Sequence, residues 1–157
     1  MRGFHTIAAS ALALVATPAL AEAHNEAASP EAAVTAFMTA FDAQDADAMR
    51  AMVVEGVSVT VIEEREGSDR VRAVPLATLI ENIGSSPNDL EEPIYGLRWL
   101  EMGSVATVMA EYEFLIDGER SHCGTNAFNL VRVDGDWKIA GIAYSHIEDD
   151  CDVEAPQ

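Results

Sequence analysis

The chain is short of positive charge: Lys138 is its single lysine, and nine Lys and Arg stand against 27 Asp and Glu. The formal net charge is −18 at pH 7 over 157 residues. Such a surface repels phosphate backbones and anionic lipid headgroups, which argues against a nucleic-acid partner. No apolar run reaches the ~20 residues that a membrane-spanning helix needs. No HxH or HExxH spacing occurs, so the common histidine metal motifs are missing. Cysteine is scarce, with only Cys123 and Cys151. The chain has no internal repeat and no low-complexity tract away from its ends.

What is present begins with a leader. Arg2 gives a positive start, Ile7 to Val15 an uncharged apolar run, and Pro18 a break before Ala19-Leu20-Ala21. This three-part pattern predicts a cleaved secretory signal over residues 1–21, cut after Ala21 or, through AEA, after Ala23. Only Arg2 of the basic residues falls within it, so its loss takes the formal charge from −18 to −19. Residues 22–29 read as a flexible leader, 30–147 as one domain and 148–157 as an acidic tail. The destination is outside the cytoplasm, the periplasm in a bacterium, with no membrane attachment after cleavage.

The domain opens on helices. Ser29 caps, Pro30 takes the first helical position and Glu31 places an acid in the first turn. Val34, Phe37, Met38 and Phe41 then form one apolar stripe on a helix to about Ala43. Asp45 caps a second short helix that ends at Gly56. The period then changes to two, with Val57, Val59 and Val61 alternating with Ser58 and Thr60. A short return strand follows at 71–74, then a helix from Pro75 to Gly84, then SSPNDLEEP as a loop. Four strands close the chain at 94–102, 104–116, 120–133 and 136–147. Asp117-Gly118 and Asp134-Gly135 make the tight hairpin turns between them. Helices followed by a long meander predict an α+β domain, a curved antiparallel sheet wrapped around the N-terminal helices with a pocket between.

The segment AEYEFLIDGERSHCGTNAFNLVRVDGDWKI carries a more specific signal. Tyr112 and Phe114 lead through a turn to His122-Cys123-Gly124, then to Phe128 and Leu130, then to Asp134, Trp137 and Ile139. This pattern, together with AFMTAFDAQDADAMRAMV, resembles small secreted bacterial proteins of the NTF2-like superfamily, which includes the SnoaL-like proteins. The resemblance covers most of residues 30–147 and implies a cone-shaped fold. That fold hosts isomerases, dehydratases, hydrolases and plain binders, so it does not select among them. The tyrosine that ketosteroid isomerases carry on the first helix is missing here, where Phe37, Met38 and Phe41 stand. The Asp–Arg–Asp relay of limonene-epoxide hydrolases has no counterpart in the strands.

With the last hairpin centred on Gly135, paired positions sum to about 270. Asn126, Phe128 and Leu130 then share a face with Ile142, Tyr144, His146 and His122. The two histidines fall near one end of the hairpin. They are candidates for general acid–base chemistry, for local hydrogen bonding at a strand end, and, with Glu148, Asp149 or Asp150, for a metal. No metal or other cofactor is assigned. Cys123 and Cys151, an even count in an oxidising compartment, predict a disulfide stabilising by about 3–4 kcal/mol on chain-entropy grounds. A nucleophilic Cys123 is the alternative, with His122 poorly placed to activate a neighbour on the opposite face. Arg98 is expected to pair with Glu111 or Glu113.

The leading expectation is a secreted domain holding a small, mostly apolar molecule. Phe37, Phe41, Trp99, Tyr112, Phe128 and Tyr144 would line the cone, with Asn126 and His122 as polar contacts. An enzyme of isomerase, dehydratase or hydrolase type with His122 or His146 as base is the rival. A structural homodimer built on the outer sheet face is a third reading.

Overall fold

A computed structural model describes residues 29–65, 67–148, 151 and 153. The signal, the leader up to Ala28 and most of the acidic tail lie outside these residues. Helix α1 spans Pro30–Asp42, α2 Ala46–Ala51 and α3 Leu76–Gly84. The strands are β1 Ser58–Glu63, β2 Arg70–Pro75, β3 Leu90–Glu91, β4 Ile94–Met102, β5 Val105–Ile116, β6 Glu119–Val133 and β7 Asp136–His146.

Local chemistry sets the helix ends. The Ser29 hydroxyl accepts from Ala32 N–H at 3.1 Å, and Asp45 Oδ1 accepts from Ala48 N–H at 2.9 Å. Each satisfies an N–H that the first turn would otherwise leave orphaned. Between the two helices Gln44 takes φ 51°. Its side-chain amide then reaches Ile83 O at 3.0 Å, tying the α1–α2 corner to the end of α3. Val34, Phe37, Met38 and Phe41 on α1 and Leu76, Ile80 and Ile83 on α3 are buried together against the sheet.

The sheet order is β2-β1-β7-β6-β5-β3, with β4 also paired to β5. Both Asp-Gly turns have positive φ at both residues, 53° and 79° at 117–118 and 53° and 99° at 134–135. That geometry matches the strand twist of a two-residue hairpin. The sheet is mixed rather than wholly antiparallel, because β1 lies parallel to β7, with Val59 opposite Ile142 and Val61 opposite Tyr144. The β1–β2 hairpin adds to the free edge of a strand far along the chain, a pairing that local periodicity does not encode. SSPNDLEEP is likewise not all loop: Leu90 and Glu91 pair with Ile116 and Leu115.

Three bulges curve the sheet, between Tyr95 and Arg98 on β4, at Phe114/Leu115 on β5 and β6, and at Asn129/Leu130 on β6 and β7. Each extra residue bends its strand and increases the local twist. Between Asn126 and Asn129 the β6–β7 pairs sum to 270, as at Asn126–Tyr144 and Phe128–Ile142. Those inward residues meet α1.

Candidate functional site

The site forms where β6 and β7 run away from their turn. There the ladder is interrupted. Thr125 N–H donates to Ser145 Oγ at 3.0 Å in place of a backbone acceptor, and the Tyr112 hydroxyl donates to Ser145 O at 2.8 Å. The two strands approach so closely that a Cβ on Gly124 would collide with the Ser145 carbonyl. Pairing resumes at Cys123 and Ile147, which exchange two hydrogen bonds of 2.9 Å each. Just beyond, Cys123 and Cys151 are joined in a disulfide, with Cα atoms 5.9 Å apart. The hairpin is pinned, and Cys123 is no free nucleophile.

This closure stacks His146 on His122, ring centroids 3.9 Å apart and planes within 20°. His122 also stacks on Phe114 at 4.8 Å, and Phe114 meets Phe41 of α1 edge-on at 6.1 Å. Burial, and secondarily the neighbouring His146, holds the His122 pKa down to about 4. It is therefore neutral at ordinary pH. Its Nδ1 lies 3.3 Å from Ser121 Oγ, and His146 Nε2 lies 3.3 Å from Glu148 Oε1. Among the described residues no group of three or more His, Cys, Asp or Glu is placed to hold a metal, and Asp149 and Asp150 lie outside those residues.

A cavity of about 230 Å³ lies inside the cone, against His122, Tyr144, Phe114, Phe41, Leu79 and Ile83. A narrow extension of about 30 Å³ continues past Asn126, Phe128 and Phe37 between α1, α3 and the sheet. Glu92 borders both spaces. Asn126, 3% exposed, donates from Nδ2 to Glu92 Oε1 at 2.7 Å. The Glu92 backbone N–H is held by Asp42 Oδ1, at the end of α1, at 2.9 Å. Burial pushes the Glu92 carboxyl up to about 8, the Asn126 hydrogen bond opposes the rise, and the Asp42 charge adds to it.

Six of the expected residues thus meet at one site: Phe37, Phe41, Asn126, Phe128, Tyr144 and His122. His146 stands behind His122. Tyr112 is buried one layer back, its hydroxyl spent on Ser145 and its ring edge-on to His122 and Tyr144 at 5.8 and 6.0 Å. Trp99 is displaced. It sits on the edge strand β4 opposite Val108, is 48% exposed, and borders an open groove instead of the cone. The bulge at Gly96 and Leu97 and its place on β4, beyond which no strand pairs among the described residues, leave it uncovered. Trp137 belongs to the core, 3% exposed, with the Arg132 guanidinium 4.5 Å from its ring centre. Arg98 forms no ion pair among the described residues: it lies opposite Met109, Glu111 lies opposite Tyr95, and Glu113 is taken by Arg120 at 2.8 Å.

Glu92 is the residue that sequence reasoning passed over. Its signal was the parity of the following strand. Leu90, Glu92 and Ile94 alternate, and the first and last pack on the core.

A second, larger hollow of about 640 Å³ lies along β4 and β5 on the face opposite the core, bordered by Tyr95, Arg98, Leu100, Thr107, Met109 and Glu111. It is open to solvent, and the cone is the more enclosed site.

No family model matches the chain. No curated protein matches it either. Solved structures do. An NTF2-like protein from Shewanella baltica OS155 is 17% identical, covering 73% of this chain and 87% of its own, with TM-score 0.52. An NTF2-like protein from Cytophaga hutchinsonii is 14% identical over 73% of this chain and 93% of its own, TM-score 0.60. A candidate scytalone dehydratase from Novosphingobium aromaticivorans is 15% identical over 81% of this chain and 88% of its own, TM-score 0.59. Identities this low speak to architecture alone. This chain has the NTF2-like fold.

Proposed function

We propose that this chain is a secreted, periplasmic binder that holds a small, mostly apolar molecule in its cone. The observation that carries the reading is the partly enclosed cavity of about 230 Å³, whose wall is largely aromatic and aliphatic with a few polar groups at fixed points. Small-molecule sites are built this way. The disulfide suits an oxidising compartment. The leader over residues 1–21 is proposed to direct the chain there.

Native mass spectrometry of protein exported by its own leader and never refolded tests the reading. An organic adduct on the wild type that is missing from Leu79→Trp, where the new ring fills the cavity, supports it. The same adduct on both proteins, or no adduct and no uptake of added indane, contradicts it.

The enzyme reading rests on a pocket histidine as base. The fold of the candidate dehydratase keeps it in view. A His122 pKa near 4 makes that imidazole a weak base at neutral pH, where general-base catalysis works best with a pKa near the working pH. Turnover lost in both His122→Ala and His146→Ala would restore it.

The outer groove supports self-association as an accompanying property. Trp99, Leu100, Met102, Val105 and Met109 are exposed in or beside it on an otherwise acidic molecule. Arg98 and Glu111 at its border could pair across a twofold axis.

A further inference from the structure

We infer that Glu92 and Asn126 form a specificity device within the cone, one that accepts a neutral ligand bearing a carbonyl oxygen and turns away carboxylates. The inference rests on the binding reading above and names the chemistry of its ligand.

The geometry is that of a carboxyl with one oxygen committed and one free. Asn126 Nδ2 donates to Oε1 at 2.7 Å, and Asn126 is itself 3% exposed. Among the described residues Oε2 makes no hydrogen bond, while the Glu92 side chain borders both the cavity and its narrow extension. The loop is held from behind by the bond from Glu92 N–H to Asp42. The polar and titratable groups facing Glu92 are Asp42 from α1, Tyr112 from β5, Asn126 and His122 from β6, and Tyr144 from β7. None of these supplies a positive charge at neutral pH, since His122 titrates near 4, and Arg72 of β2, which lies near Tyr144, is ion-paired with Glu63 at 2.9 Å. From α3 come Leu79, Ile83 and the uncharged Asn82.

Without a cation, the site favours the protonated carboxyl, and burial raises it to about 8. With Asn126 donating to Oε1, the proton belongs on Oε2, the oxygen without a partner among the described residues, on a side chain that borders the cavity and its narrow extension. A carboxylic acid there donates one hydrogen bond to an acceptor on the ligand. A ligand carboxylate would bring a second charge beside Glu92 and Asp42, while Arg72, the cation near Tyr144, is already taken by Glu63, an arrangement that an apolar site disfavours.

Ligand size follows from volume. An apolar cavity of about 150 Å³ takes benzene, so about 230 Å³ takes a molecule of roughly ten non-hydrogen atoms. Indan-1-one and indane, with ten and nine non-hydrogen atoms, match this size, and indane-1-carboxylate, with twelve, is the charged probe. Affinities measured by calorimetry at pH 6 and pH 9, for wild type, Glu92→Gln and Glu92→Leu, separate the outcomes.

At pH 6 the wild type should bind indan-1-one about tenfold tighter than indane, the worth of one net hydrogen bond. It should bind indane-1-carboxylate weakest. At pH 9 the ketone's advantage should vanish as Glu92 ionises. Glu92→Gln keeps a donor at either pH and should preserve the preference at both, whereas Glu92→Leu should abolish it. Equal binding of ketone and hydrocarbon by the wild type at pH 6, or a preference unchanged at pH 9, overturns the inference and leaves the binding reading standing. Failure of all three probes to bind overturns both. The wild-type pH comparison stands by itself if either variant does not fold.

Discussion

Glu92 and His122, which border one cavity, make opposite demands on pH. His122 has a folded pKa near 4 against an ordinary value of 6.5. The unfolded chain therefore binds the extra proton first, and stability falls as pH drops from about 6.5 toward 4. Glu92 runs the other way, from 4.5 up to about 8. The folded state holds a proton that the unfolded chain releases, so stability falls as pH rises through that window. Urea unfolding across pH checks both. Glu92→Gln should add about 1–3 kcal/mol at pH 8 and little at pH 4. His122→Gln should flatten the decline between pH 6.5 and 4 and leave the alkaline side unchanged. A Glu92→Gln gain equal at both pH values would mean that repacking, not protonation, is responsible. His122 was visible in the sequence because strand parity put it on the inner face with Asn126 and Phe128. Glu92 was not, because it precedes a strand by two residues and is flanked by Glu91 and Pro93, which read as loop chemistry.

At the scale of elements, the end of the β6–β7 hairpin holds the site together. Its ladder is broken at Thr125 and repaired by Ser145, Tyr112 and the Cys123–Cys151 bridge. Replacing both cysteines by serine should cost about 3–4 kcal/mol in urea unfolding, the worth of closing a loop of 28 residues. Gly124→Ala forces a methyl into the Ser145 carbonyl and should cost about 3 kcal/mol, the upper end for overpacking. It should also broaden the aromatic NMR signals of His122 and His146 as their stack loosens. A neutral Gly124→Ala would mean that the strands separate there without penalty. The helices and the four meander strands were legible because caps, apolar stripes and Asp-Gly turns are local signals. The parallel β1–β7 pairing and the two-residue β3 were not, since each depends on a partner distant in the chain. The bulge at Gly96 and Leu97 was equally silent, and with it went the true place of Trp99 on an open edge.

For the whole molecule, curvature and charge fix what the fold can do. Three bulges bend the sheet around α1 and α3, which leaves a partly enclosed cavity inside an acidic shell. The exposed apolar residues Leu100, Met102, Val105 and Met109 form a stretch of outer sheet on which two such molecules can meet with little like-charge repulsion. Light scattering should therefore report a dimer, and Leu100→Glu together with Met109→Glu should return it to monomer. A wild-type monomer at high micromolar concentration would remove that reading while leaving the cone untouched. The cone's existence could be read from the order of helices and strands, but its contents could not. Aromatic residues on an inward face fill a core or line a cavity by the same pattern, and only packing separates the two.

Titration of the isotope-labelled protein with indan-1-one, followed by amide and methyl NMR shifts, is the most direct test of the binding claim. The account predicts saturable shifts that centre on Phe41, Leu79, Ile83, Glu92, Asn126 and Tyr144. Shifts confined to Tyr95–Leu100 and Thr107–Glu111 would place binding on the outer groove, and no shifts at all would leave the cone empty; either result contradicts it.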